Sequence, residues 1–157
     1  MSDDLPRAEV PLDRRSAGLR TARYDILLAA AERWEVSEHA PVGVQDTLRV
    51  ARALFAHGAF VYDFFAAASA WSLIGVELAL RDTMQAGDRI PFAKLIARGE
   101  RSGHLSHREA DVLRAGAQLR NDWFHGKGPM AITPGMAQEM VAASHLLVAR
   151  LYEQGNR

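Results

Sequence analysis

Apolar residues recur with a helical period along most of this chain, and no segment shows the two-residue alternation typical of a β-strand. A first helix is predicted over residues 19–34, and the stretch 37–44, which contains a proline and a glycine, ends it. Helical periodicity returns over residues 46–86, where Gly58 marks a joint or a bend. The apolar side of the first helix comprises Leu19, Ala22, Ile26, Leu27, Ala30 and Trp34.

The segment Phe60–Met84 is the most apolar part of the chain, and it is apolar on almost every side of a helix. Such a pattern predicts burial on more than one side, as in a central helix or a helix at a subunit contact. The longest apolar run, Phe64–Leu80, contains Glu77 and several small or polar residues. It therefore predicts a buried helix rather than a membrane span.

Three further helices are predicted in the second half of the chain, over residues 91–101, from Ser106 onward, and over residues 134–154. Ser106 and Glu109 have the spacing of a capping box. Thr133 as N-cap, a proline at the first helical position and a glycine after the end delimit the last helix. Its predicted core stripe comprises Met136, Met140, Ala143, Leu147 and Leu151.

These elements predict an all-α fold, an antiparallel bundle of four or five helices. The length of 157 residues and the 48% hydrophobic content indicate one globular domain, assigned to residues 18–157. Residues 1–17 are polar, carry two prolines and lack periodicity, so they are expected to form a flexible leader.

The amino-acid composition excludes some kinds of site and argues against some kinds of protein. The absence of cysteine excludes disulfides and thiolate metal sites, and no secretory signal is visible, so a cytoplasmic location and no membrane association are expected. The methionine and aromatic stripes indicate core packing, and no cofactor is expected. A formal net charge of zero argues against a general nucleic-acid coat protein.

A modest basic excess lies between Asp88 and Lys127, where eight Lys or Arg accompany five acidic residues. Lys94, Arg98 and Arg101 form one ridge on the predicted short helix. This ridge, together with Lys127, is a weak candidate for binding phosphates of a substrate. The alternative is an ordinary solvated helix face.

Arg120 breaks the helical pattern, because it falls near the middle of an apolar arc formed by Ala110, Val112, Leu113, Gly116, Ala117, Leu119, Trp123 and Phe124. A guanidinium stays charged in a protein, so at such a position it needs a carboxylate, a phosphate or an opening to solvent. The alternative is an arginine whose stem packs on the core while its head group reaches water.

His125 follows five residues later, about 140° further around the helix. A Gly-Lys-Gly-Pro sequence comes next and should end the helix. A histidine at a helix C-terminus is favoured in its protonated form, and it can exchange protons near neutral pH. Asn121 lies four residues earlier on the same face, and its amide could orient the imidazole.

Glu77 is the second exception to the pattern, a carboxylate on the most apolar helix. Arg81 lies four residues on and offers a surface ion pair. The second hypothesis is that Glu77 meets Arg120 inside the bundle, where each lowers the cost of burying the other.

The sequence Arg120-Asn121-Asp122-Trp123-Phe124-His125 resembles the Arg-(four to six)-His motif of HEPN domains, including the polar residue that often follows the arginine. The resemblance extends over about residues 46–150, with a long apolar helix pair, a short helix and a capped helix that carries the motif. It implies a HEPN-like helical domain that dimerises with its motif helices facing each other across a cleft.

Many HEPN domains act as metal-independent endoribonucleases in toxin–antitoxin, phage-defence or RNA-processing systems. For this chain the resemblance implies RNA as substrate, Arg120 and His125 of both subunits as catalytic residues, and an antitoxin or a neighbouring NTPase as a further partner. The pairings considered above make Asn121 and Glu77 candidates for supporting residues. Some family toxins carry a tyrosine two residues after the histidine, which a partner nucleotidyltransferase modifies. This chain has Lys127 there.

Two other functions stay open. One is a non-catalytic helical module whose Arg120 binds a nucleotide, RNA or an acidic segment of a protein partner. The other is metal catalysis, for which only His104 and His107 lie close together in the sequence. They straddle a helix start without an evident carboxylate partner, so surface histidines are the better interpretation and no metal site is expected.

Overall fold

The computed structural model describes residues 10–126 and 132–154, except the side chains of Phe124 and Gln154. Within these ranges the chain contains seven helices and no strand, which confirms the all-α class. The helices are α1 Arg14–Ala17, α2 Tyr24–Glu32, α3 Val42–His57, α4 Phe64–Thr83, α5 Phe92–Arg101, α6 His107–Phe124 and α7 Pro134–Gln154. The number exceeds the predicted four or five because α1 was not predicted and because the predicted helical region 46–86 forms two helices, α3 and α4.

The described part of the expected leader, residues 10–17, packs against the body of the protein. The buried Ser16 hydroxyl donates to the carbonyl of Gly58 at 2.7 Å, and the backbone N–H of Asp13 donates to the carbonyl of Ala59 at 3.0 Å. Arg15 pairs with Asp63 at 2.9 Å. Residues 10–17 therefore differ from the expected flexible leader. The contacts that hold them are polar, so they produce no hydrophobic periodicity from which a packed segment could be predicted. Residues 1–9 lie outside the described part.

The first predicted helix is shorter than expected. Leu19, expected in its core stripe, lies in a turn before α2 and is exposed, and Ile26 is exposed on α2 itself. Leu27 and Ala30 are buried as predicted. The second predicted helix begins earlier than expected, since Pro41 serves as the N-cap of α3. A proline suits this boundary, because its ring disfavours helical continuation on its N-terminal side.

Gly58 ends α3 and separates it from α4, so the predicted joint is a break between two helices. A Cβ atom at Gly58 would lie 2.5 Å from the Phe65 ring, which explains why the smallest residue stands there. Gly75 has the same role where α4 crosses α3, because its Cβ would lie 2.7 Å from a methyl carbon of Leu48.

The centre of the fold is α4, which packs against α3 and α7 and touches α5 and α6. By length and composition α4 is apolar enough to cross a membrane, and 61% of its most apolar window is buried within the protein. It thus matches the predicted central helix. Trp71 of α4 is nevertheless 40% exposed.

The ends of α5 and α6 and the start of α7 agree closely with the sequence-based expectations, while the glycine predicted to follow α7 lies outside the described residues. The predicted capping box of α6 is confirmed, since Ser106 Oγ accepts from the backbone N–H of Glu109, and the Glu109 carboxylate accepts from that of Ser106 at 2.7 Å. The predicted core stripe of α7 is partly wrong, because Met136 and Ala143 are exposed. Leu147 and Leu151 are buried as predicted, and the buried side of α7 further includes Ala137, Val141, Ser144, His145 and Val148.

The close approach of α3 and α4 can be tested at Gly75. Replacing Gly75 with valine should lower the free energy of unfolding by about 1–3 kcal/mol, because the fully buried Leu48 has to move to admit the larger side chain. Gly43→Ala, at an exposed position of α3, is the control. Nothing lies within 4 Å of its Cβ position, so it should raise stability by about 0.5–1 kcal/mol. Urea denaturation measures both, and equal effects of the two substitutions would contradict the close packing.

Candidate functional site

Arg120 lies on the inner side of α6, and its side chain is 17% exposed. Nη1 donates to Oε2 of Glu77 at 3.3 Å, and the guanidinium carbon lies 5.3 Å from the centre of the Phe92 ring, a cation–π distance. The predicted contact between Glu77 and Arg120 is therefore present. Its partners come from α4 and from the first residue of α5, so three helices fix the position of this guanidinium.

Glu77 also binds Arg81, whose Nη2 donates to Oε1 at 2.7 Å. Arg81 further donates to the carbonyls of Gly87 and Ile90, so the turn after α4 holds it in place. Glu77 thus forms both of the contacts considered from the sequence, one with Arg81 and one with Arg120. The three side chains, here called the arginine cluster (Glu77, Arg81 and Arg120), are each less than one fifth exposed and carry a formal charge of +1.

Arg120 uses little of its hydrogen-bonding capacity in the cluster. A guanidinium has five N–H donors, and Arg120 makes one hydrogen bond, at 3.3 Å, to the described part of the chain. Its remaining donors have no hydrogen-bond partner among the described residues, and an external acceptor could pair with them. A phosphate oxygen suits them, because it is anionic and accepts forked hydrogen bonds.

His125 forms the C-cap of α6 and is exposed. Its backbone N–H donates to the carbonyl of Asn121 at 3.0 Å. The expected side-chain contact between Asn121 and the imidazole is absent, because Asn121 is itself exposed and meets His125 only through the main chain. Asn121 therefore does not orient the ring in this structure.

The side chain of Arg120 is directed along α6 away from the end that carries His125. Leu105, just before α6, lies with Leu80 of α4 beside Gly99, and Gly116 further along α6 lies against Leu73, so α6 runs antiparallel to α4. Side chains on a helix lean toward its N-terminus, and Arg120 follows this direction to reach Glu77. Its guanidinium therefore points away from His125, which closes the other end of α6.

The weaker candidates form no second site. Lys94, Arg98 and Arg101 are exposed on α5, and Arg98 donates to the carbonyl of Met84 at 3.1 Å. Lys127 lies outside the described residues. No group of three metal-ligating side chains occurs in the described ranges, and His104 and His107 have separate partners, Ser102 and Glu100.

Two features near the motif could not be predicted from the sequence. Phe92 under Arg120 and the groove between α6 and α7 depend on packing between distant segments, which no local pattern reveals. The groove, of about 660 Å³, is lined mainly by apolar side chains, among them the exposed Val112, Met136 and Leu146.

Two histidines away from the motif have shifted protonation equilibria. Burial lowers the pKa of His145 below its ordinary value of 6.5, and the nearby charge of Arg52 lowers it further. Its Nδ1 pairs with the carbonyl of Val141 at 2.8 Å, and its Nε2 has no partner in the described part of the chain. The pKa of the exposed His107 is raised above 6.5, first by its hydrogen bond to Glu100 and then by the charge of Asp111.

Comparison with known proteins gives no family assignment: no protein-family model, curated protein or solved structure matches this chain.

The role of Glu77 in the cluster can be measured with Glu77→Gln. Removing the charge leaves Arg81 and Arg120 largely buried without a counterion, so the free energy of unfolding should fall by about 1–3 kcal/mol. Glu139→Gln is the matched control, since Glu139 is exposed on α7 and pairs with no described residue. An unchanged melting temperature in Glu77→Gln would show that the cluster does not depend on this carboxylate.

The pKa shifts of His145 and His107 should have opposite effects on how the stability of the protein depends on pH. Because the pKa of His145 is lowered in the folded protein, its favourable contribution to the free energy of unfolding is present above pH 6.5 and is lost as the pH falls below that value. His145→Gln should abolish this loss.

Because the pKa of His107 is raised in the folded protein, its favourable contribution to the free energy of unfolding is present below pH 6.5 and is lost as the pH rises. His107→Gln should abolish that loss. Melting temperatures between about pH 5 and 8 test both. If a variant shows the same dependence of melting temperature on pH as the wild type, the replaced histidine does not contribute to that dependence.

Proposed function

We propose that this protein is a metal-independent endoribonuclease of the HEPN type, with an active site shared across a homodimer and with Arg120 and His125 as catalytic residues. The observation that supports it is the state of Arg120. Glu77 and Phe92 hold its guanidinium at a partly open position, and most of its donors are free of described partners. On the same helix, His125 is exposed at the C-terminus.

The chemistry of RNA cleavage accounts for these residue types. The 2′-hydroxyl attacks the adjacent phosphate, so a base has to accept the hydroxyl proton, an acid has to protonate the departing 5′-oxygen, and a cation has to stabilise the crowded phosphorane. Histidine performs both proton transfers near neutral pH, and arginine supplies the permanent charge. No metal ion is required for these steps.

A second copy of the chain completes the site. One chain carries a single His125, and its own Arg120 guanidinium points toward the opposite end of α6. A homodimer supplies two histidines and two arginines. The proposal further includes a cytoplasmic toxin or defence role with an antitoxin or neighbouring NTPase as partner. Control by modification of a tyrosine after the motif is not part of it, because Lys127 stands at that position.

The second candidate function is a non-catalytic helical module that binds a nucleotide, RNA or an acidic protein segment through Arg120. Two observations favour it. Glu77 already neutralises much of the charge of Arg120 within one chain, and the formal net charge of zero gives no general attraction for RNA.

Cleavage of mixed RNA in the presence of EDTA distinguishes these functions. The wild-type protein should cleave RNA despite the chelator, and His125→Ala should reduce the rate by about 100-fold or more, the usual contribution of a positioned acid or base. Arg120→Ala and Arg120→Lys should reduce it as well, since lysine keeps the charge but not the forked donors. His39→Ala, at an exposed histidine outside the motif, is the control and should keep full activity.

Equal RNA degradation by all these preparations would indicate a contaminating nuclease and would exclude the enzymatic proposal. RNA or nucleotide binding without cleavage, lost in Arg120→Ala and kept in His125→Ala, would establish the non-catalytic module instead.

A further inference from the structure

Four arginines lie close together near the N-terminal end of the described chain, within the ten residues 14–23, here called the arginine segment. They are Arg14, Arg15, Arg20 and Arg23, and all four are exposed. The arginine segment contains no acidic residue, whereas the protein as a whole has a formal net charge of zero. The segment is therefore a local concentration of positive charge on a neutral protein.

Two of these arginines are held by carboxylates and two are not. Aspartates bind Arg15 and Arg23, in salt bridges of 2.9 Å and 3.0 Å. Within the described part of the chain, the side chains of Arg14 and Arg20 have no hydrogen-bond or ion-pair partner. Their guanidinium groups suit the phosphate groups of a ligand, because a phosphate is anionic and accepts forked hydrogen bonds.

Three aromatic rings form a second group, here called the aromatic cluster. The ring centres of Tyr24, His57 and Phe60 lie 5.2–6.2 Å from one another. His57 is exposed, and Tyr24 and Phe60 are partly exposed. Accessible rings of this kind stack against the bases of a single-stranded nucleic acid with little regard to base sequence.

A hydrogen bond and the chain itself place the two groups side by side. The buried hydroxyl of Ser16, within the arginine segment, donates to the carbonyl of Gly58 at 2.7 Å. Gly58 lies in the turn between His57 and Phe60. The third member of the aromatic cluster, Tyr24, directly follows the arginine segment in the sequence. Positive charge and aromatic rings therefore adjoin each other on this part of the surface.

The same end of the bundle carries the histidine of the motif. Because α6 runs antiparallel to α4, its C-terminal end with His125 lies beside the start of α4. The salt bridge between Arg15 and Asp63 joins the arginine segment to the same place, since Asp63 directly precedes α4. Trp123, near the end of α6, packs against the same core cluster as two residues of the aromatic cluster.

We propose that the arginine segment and the aromatic cluster form a binding surface for single-stranded RNA, which holds the substrate at the end of the bundle that carries His125. Phosphates of the bound strand pair with Arg14 and Arg20, and its bases stack on the aromatic cluster. A single strand fits better than a duplex, because its bases are free to stack on protein side chains. The choice of RNA as the ligand rests on the proposed function.

Fluorescence anisotropy with a labelled single-stranded RNA of about 12 nucleotides tests this surface. All measurements use His125→Ala as the background, so that the RNA is not cleaved. Adding Arg14→Ala and Arg20→Ala should weaken binding at least about tenfold at about 0.1 M salt. The slope of log Kd against the logarithm of salt concentration should fall by about 1.4, since each phosphate contact of a single strand contributes about 0.7.

Arg89→Ala and Arg108→Ala together are the matched control. Both arginines are exposed and lack a side-chain partner in the described part of the chain, and they lie at the opposite end of the bundle, after α4 and at the start of α6. This control removes the same charge but should change the affinity by no more than about twofold, because distant charges are screened at this salt concentration. Equal losses of affinity in both double variants would show that only the net charge matters and would overturn the proposal.

Substitutions at His57 test the stacking of bases. In the same background, His57→Ala should weaken RNA binding about fivefold or more, the usual loss when a stacking ring is removed, whereas His57→Phe should retain binding. His39→Ala, at an exposed histidine near the other end of α3, is the control and should bind RNA as the background protein does. Unchanged binding in His57→Ala, or equal losses in His57→Ala and His57→Phe, would overturn the role of the aromatic cluster.

Binding and cleavage are measured separately, so the two proposals can fail separately. If the wild-type protein does not cleave RNA but the background protein binds it through Arg14 and Arg20, the ribonuclease is refuted and the binding surface is established. If the wild-type protein cleaves RNA and the Arg14/Arg20 variant binds it as tightly as the background protein, the binding surface alone is refuted.

Discussion

The carboxylate of Glu77, placed between two arginines, is the interaction on which the architecture around the motif depends. Arg120 occupies an apolar arc of α6, where an unpaired cation would be costly. Glu77 from α4 lowers that cost, Phe92 covers the guanidinium from the start of α5, and Arg81 is fixed to the turn that follows α4. One polar cluster therefore joins α4, α5 and α6 and presents a charged group most of whose donors have no partner in the described part of the chain.

The central helix α4 connects this cluster to the rest of the protein. Its buried sides pack against α3 and α7, with Gly75 allowing close contact to Leu48. Trp71, also on α4, is 40% exposed, so α4 is not covered on every side by the described part of the chain.

The sequence predicted the features that depend on local spacing. Ser106 and Glu109 fixed the start of α6, Gly58 located the break between α3 and α4, and Pro134 marked the start of α7. The pairing of Glu77 with Arg120 was predictable as well, because two charges on apolar faces each required a partner. Phe92, the attachment of residues 10–17, and the exposure of Met136 and Ala143 were not, since these depend on packing between distant segments. The side-chain contact expected between Asn121 and His125 does not form, although the helical spacing permits it. The catalytic roles of Arg120 and His125 remain predictions.

A double-mutant cycle between Glu77 and Arg120 tests the central interaction most directly. Free energies of unfolding for the wild type, Glu77→Gln, Arg120→Met and the double variant give the coupling energy between the two side chains. We expect a favourable coupling of about 1 kcal/mol or more, because each single substitution leaves a largely buried charge or its partner unmatched. A coupling of zero within error would contradict it.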